Sequence, residues 1–208
     1  MAPPCPEDSP TDCPPVFGYG DANADFHLIG DHPGVHGGRA TGVPFTDGPA
    51  GERLQPILNE VGLLGDAYSD APAVADLFMS YLYMCCLPAD RAPVDDEYAN
   101  LEPFFDAELR AIAAHVLLPV GERATRYVLC NYAAREAELD AAEGLADLHG
   151  DQLPGRGFLV VPIREPREWE DGDADRLTET LSELLGTDYR QTADLGRFLA
   201  EHDTYEVR

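Results

Sequence analysis

ADFHLIGDHPGVHGGRATGVPF, residues 24–45, is the stretch whose reading decides the fold. Its first seven residues are a short, mostly apolar run, interrupted by Asp25 and His27, which reads as a buried strand. The chain then leaves through a loop holding five glycines in residues 30–45, with Asp31, His32 and His36 among them, and stops on Pro44-Phe45. Downstream, PAGERLQPILNEVGLL has helical spacing at Leu54, Ile57, Leu58 and Val61, with Gly62 as its stop. Pro56 inside that pattern predicts a kink or a late start.

The same alternation continues. ADLFMSYLYMCCL is a second apolar run, broken by PADRAPVDDEY, and DDEYANLEPFFDAELRAIAAH reads as a helix with an acidic first turn. HVLLPVG is a third strand, ERATRYVLCNYAAREAELDAAEG a helix after Gly121, and GFLVVPI a fourth strand. DADRLTETLSELLG and TADLGRFLAEH close the chain as helices. Strands alternating with helices predict an α/β class, three-layer α/β/α, around a mainly parallel four-stranded central sheet. Residues 1–15 hold six prolines and read as an extended, poorly ordered lead-in to a single domain over 16–208. Ligands of such sheets bind at the carboxyl ends of the strands. That places 30–45, 84–91 and 163–169 at one edge.

With 39 acidic residues against 14 basic ones, all of them Arg, the formal net charge is -25. Charge spread along the whole chain is tolerable where salt screens it over about 3 Å, near 1 M. It therefore reads as a surface adapted to a high-salt cytoplasm, and it does not exclude nucleic acid, since local Arg can still meet phosphate. Five cysteines, an odd number, argue against a closed disulfide framework. No leader pattern and no long apolar run stand out, so the expectation is a cytoplasmic monomer with no membrane contact.

Several chemistries fail on the Gly-rich loop. A P-loop needs a Lys, and GYGDAN at Gly18 precedes the strand where a dinucleotide fingerprint would follow one. A metal-dependent hydrolase would use Asp31, His32 and His36, but two His four apart serve a metal on a helix. The loop looks too rich in glycine for one, and both His read as ordinary loop residues.

The ordered set of parts does resemble a family. Strand, Gly30, Asp31, Pro33-Gly34, Gly-x-Pro-Phe at 42–45, then Gly48, Gly51 and a helix, is similar to the first motif of the uracil-DNA glycosylase superfamily. The closest likeness is to its iron–sulfur branch from thermophiles and archaea, and the chain looks like a divergent haloarchaeal type. VFGYGDANADFHLIG, CCLPADR, LEPFFDAEL and HVLLPVGERATRYVL match that branch in the same order over about residues 16–168.

The resemblance implies a DNA base-excision enzyme that hydrolyses the N-glycosidic bond of a flipped deaminated or damaged base. Asp31 would assist sugar cleavage, His32 would supply a proton or hydrogen bond, and Gly30, Pro33 and Gly34 would bring backbone close to the base. Phe45 would stack on the flipped ring, so that Asp31 and Phe45 flank a slot of nucleobase size.

Departures set an alternative, a catalytically inactive nucleic-acid or nucleotide binder. Tyr81 stands where the branch reads uracil with Asn, and Glu165, before Pro166, stands where its last motif has a catalytic His. An ionised Glu cannot donate a hydrogen bond; Arg164 or Arg167 would have to substitute. The branch's cluster ligands are also incomplete: Cys5 and Cys13 are eight apart, Cys85 matches, and the fourth position falls near Leu101. No metal or other cofactor is expected.

Overall fold

The apolar runs assemble into one sheet of six strands in the order β1-β3-β2-β4-β6-β5. The structure is a computed structural model that describes residues 3–135 and 144–195. Its strands are β1 (Tyr19–Gly20), β2 (Phe26–Gly30), β3 (Leu77–Tyr81), β4 (Val116–Pro119), β5 (Leu153–Gly155) and β6 (Phe158–Val160). The helices are α1 (Pro33–His36), α2 (Pro49–Glu60), α3 (Asp95–Ile112), α4 (Gly121–Val128), α5 (Asp173–Leu185) and α6 (Tyr189–Leu195).

The four central strands, β3-β2-β4-β6, are parallel as expected. The sheet is wider than the four strands expected because two short antiparallel edges, β1 and β5, extend it. Neither edge has enough residues to carry a readable alternation.

Side chains alternate across the sheet with period two. Leu28, Met79 and Leu118 pack with Leu58 of α2 and Leu181 of α5 on one face. Ile29, Leu117 and Val160 pack with Phe105 of α3 and Val128 of α4 on the other. Both faces are covered, which gives the three layers and explains the uninterrupted apolar strands.

α2 runs unbroken through Pro56, which lies on its exposed side. The helix thus neither starts late nor stops at the proline. α4 ends in a π turn at Leu129–Ala133, with Ala134 left-handed at φ 51°. The rest of the helix expected there, over 136–143, lies outside the described residues, as does the end of the last expected helix beyond Leu195. Among the described residues no helix is long and apolar enough to cross a membrane.

The proline-rich lead-in differs most from expectation. It has no helix or strand before β1, as its prolines dictate, yet it is tied to the body. Cys5 is bonded to Cys85 and Cys13 to Cys86, with Cys130 outside both pairs. An odd count did not prevent two bridges. Arg91 reinforces the tie by pairing with Asp8 and with Glu97, each through two hydrogen bonds. Those pairings occupy the guanidinium and take Arg91 away from phosphate binding.

Beneath β1 lies a buried polar group. Ser80 Oγ meets His27 Nε2 at 2.8 Å. Burial pushes the His27 ring down to about 3. Burial also pushes Glu108 up to about 7, against the opposing hydrogen bonds from Ser80 and the Gly18 N–H. An acid with a raised folded pKa binds its proton more tightly when folded, so stability falls as pH rises from about 4.5 through about 7. Glu108→Gln removes that penalty. The variant should exceed the parent by about 2–3 kcal/mol at pH 8 and converge with it near pH 4, measured by denaturant unfolding at each pH.

Candidate active site

β2 and β4 are neighbours whose outgoing connections run to opposite sides of the sheet, so a crevice opens at their carboxyl ends. An open cleft of about 910 Å³ occupies that place. Asp31 follows β2, Val120 to Arg126 follow β4, and Ile163 to Glu168 follow β6; these segments form its walls. The segment 84–91, expected at this edge, does not line the cleft; it turns toward the N-terminal arm. The segment after β4 takes its place.

The cleft holds Arg123, Arg126, Arg164 and Arg167 against Asp31, Glu122, Glu165 and Glu168. Four against four is a neutral window on a chain whose ratio is 14 to 39. A polyanion meets less repulsion there than the chain's overall charge would give.

Asp31 is held from α3. The Tyr98 hydroxyl donates to its Oδ1, and the Arg123 guanidinium lies 4.2 Å over the Tyr98 ring. Arg123 is in turn paired with Asp95. Tyr98 was not foreseen because it sits on a helix 67 residues away, with no motif around it.

The loop after Asp31 forms one helical turn, α1, despite its glycines. His32 is its N-cap: Nδ1 accepts from the Gly34 N–H at 3.1 Å. The ring is buried and stands outside the cleft walls. Burial lowers its pKa, more than the neighbouring Asp31 raises it. Pro33 opens the turn, with no N–H to leave unpaired.

His36 closes the turn, and its ring faces the cleft. Nδ1 accepts from the Asp31 N–H at 2.9 Å, so the ring proton lies on Nε2, which donates to Glu165 Oε2 at 2.9 Å. Burial alone would raise the Glu165 pKa, but the His36 hydrogen bond and the nearby Arg167 hold it below the ordinary value. With both Nδ1 atoms occupied by N–H donors, His32 and His36 do not converge on a metal. Among the described residues no His, Cys, Asp and Glu grouping could hold one.

Phe45 lies behind His36. Its ring is fully buried, stacked on the imidazole at 5.4 Å between centroids, with Tyr81 at 5.3 Å. The expected open slot between Asp31 and Phe45 is therefore filled by the His36 ring. Gly30 makes this packing feasible: a Cβ there would come within 2.7 Å of the Tyr81 ring and 2.8 Å of His36 Nδ1.

Tyr81 is also not at an open base edge. Its hydroxyl accepts from the Phe45 N–H at 2.7 Å and donates to Gly37 O at 3.0 Å. Gln55 Nε2 donates to Phe45 O at 2.9 Å. Together they hold Phe45 at φ 58°, a conformation costly for a bulky residue. Tyr81→Phe leaves a buried N–H and C=O unpaired. It should lower stability by about 1–3 kcal/mol, read as a lower urea midpoint at unchanged slope.

The last segment is anchored by Arg53, whose Nη1 donates to Pro166 O at 2.7 Å. Arg164 turns outward to Glu170 and Asp173. Arg167 reaches back over the loop and donates to Val35 O, and its N–H faces Glu165. Of the two arginines expected to replace a missing donor, only Arg167 lies over the Asp31 loop. Trp169 packs against the core and donates to Arg164 O at 2.8 Å.

The cysteine set does not fit an iron–sulfur cluster. Cys86 packs with Cys13 in the main core, Cys85 with Cys5 in a separate cluster, and Leu101, at the fourth position, is buried against Cys85.

The family described as the Uracil DNA glycosylase superfamily matches residues 17–181. The Type-5 uracil-DNA glycosylase of Pyrobaculum aerophilum is 30% identical over 186 residues, 88% of this chain and 77% of that protein. The Type-5 uracil-DNA glycosylase of Thermus thermophilus is 31% identical over 157 residues, covering 74% and 70% of the two chains. The Type-4 uracil-DNA glycosylase of Saccharolobus solfataricus is 30% identical over 152 residues, covering 73% and 64%. A family match over residues 17–181 and relatives 30–31% identical along most of the chain make it a member of the uracil-DNA glycosylase superfamily.

Proposed function

We propose that this chain is a DNA base-excision glycosylase that hydrolyses the N-glycosidic bond of a deaminated or damaged base turned out into the cleft. The observation that carries the reading is Asp31 at the wall of the charge-balanced cleft, oriented by Tyr98. The sugar becomes cationic as the bond breaks, and a carboxylate beside it offsets that charge and orients the attacking water. The departing base becomes anionic and needs donors. The Asp31 N–H and the Arg167 guanidinium are the donors near the seat; Glu165, as a carboxylate, is not one. Loss of one such donor costs roughly 3–4 kcal/mol of barrier in well-studied enzymes, so excision of plain uracil should be slow.

Two observations favour the second reading, a binder without catalysis: the His36 ring fills the base seat, and Glu165 faces it. The acid-rich, all-Arg surface supports a monomer working in a salt-rich cytoplasm, as in a haloarchaeal cell. A duplex carrying one uracil, incubated in molar KCl and then cleaved with alkali, separates the readings. Strand scission at the uracil supports the enzyme; retained binding with no scission supports the binder.

A further inference from the structure

The His36 ring takes the place beside Phe45 that the resemblance assigns to a flipped base. It stacks obliquely on Phe45, with centroids 5.4 Å apart and planes 28° from parallel, after the carboxyl end of β2. Its edge offers one acceptor, Nδ1, to the Asp31 N–H and one N–H donor, Nε2, to Glu165 Oε2. Acceptor and donor are separated by a single ring carbon. A lactam edge, the C=O beside an N–H that deaminated bases carry, offers the same pair in the same order. The ring is only 1% exposed, yet it forms part of the cleft wall. Gly121, at φ 80°, keeps the neighbouring backbone clear: a Cβ there would come 3.2 Å from Glu165 Oε2.

We infer that His36 is a built-in occupant of the base seat, and that a lactam-bearing base enters by displacing its imidazole from Phe45, the Asp31 N–H and Glu165. This rests on the glycosylase reading for the identity of the ligand and assigns Glu165 a purpose. Glu165 accepts from the ring N–H that the base brings, and from His36 when no base is present. The Asp31 N–H and Glu165 each have a ring partner in either state, so the exchange leaves neither of them unpaired. The occupant also sets specificity, since a ring lacking an adjacent acceptor and N–H donor cannot replace what the imidazole supplies. Apparent affinity for a base is reduced by the fraction of molecules in which His36 has left, so removing the ring should tighten it.

The test uses the whole chain with labelled histidine nitrogens. In the free protein His36 should show an unprotonated Nδ1 and a protected Nε2 proton. A duplex with a non-hydrolysable deoxyuridine analogue should abolish that protected proton, and the same duplex with deoxycytidine, whose base has no ring N–H beside its carbonyl, should leave it in place. An unchanged His36 signal at saturating analogue duplex overturns the inference. Independently, His36→Ala should bind free uracil about tenfold or more tighter than the parent, with imidazole competing. A folded variant that binds neither ring also overturns it. The outcomes separate from those of the activity itself. Excision with His36 unmoved keeps the glycosylase and removes the occupant, whereas release of His36 without excision does the reverse.

Discussion

Asp31→Asn should lower the rate of base release by about 10²–10⁴-fold while leaving the folded protein intact. The substitution keeps the shape of the side chain and an oxygen that can accept the Tyr98 hydroxyl, so the network from Arg123 through Tyr98 survives. What is lost is the negative charge beside the developing sugar cation and the group that takes a proton from water. Because neither acts on the ground state, kcat should fall far more than KM rises. Thermal unfolding within a few degrees of the parent would show that the loss is chemical. A rate within a few-fold of the parent would move the catalytic role away from Asp31.

Phe45→Ala should have the largest effect on stability, about 3–5 kcal/mol, as expected for deleting a fully buried ring. The ring touches both His36 and Tyr81, so its removal leaves a cavity at the junction of β2, β3 and the glycine-rich loop. The left-handed backbone at Phe45 is retained by Tyr81 and Gln55, and the Ala variant still carries that strain without the packing that compensates it. Denaturant unfolding checks this directly. A loss under about 1 kcal/mol would mean the three rings are loosely packed and the base seat is open rather than filled.

The parallel core was legible because β2 and β4 are buried on both faces and read as unbroken apolar runs. The segments carrying Asp31 and Glu165 were legible because each follows a strand or its extension, where such sheets place ligands; the two residues themselves were singled out by the resemblance. Less of the site's interior was readable. The resemblance alone gives Phe45 a stacking role, and its depth depends on a positive φ that no local pattern announces. His36 sits among glycines, where side-chain periodicity says nothing about direction. Tyr81 carries a hydroxyl whose partners, Gly37 and Phe45, are 44 and 36 residues away. The disulfides escaped because pairing depends on where Pro-rich chain folds back, and composition does not fix that.

Release of free base from a single-uracil duplex, followed over time in molar KCl for the parent and for Asp31→Asn, tests the central claim most directly. Base released by the parent and nearly absent with Asp31→Asn is the predicted result. Duplex bound equally by both, with no base released by either, would contradict it.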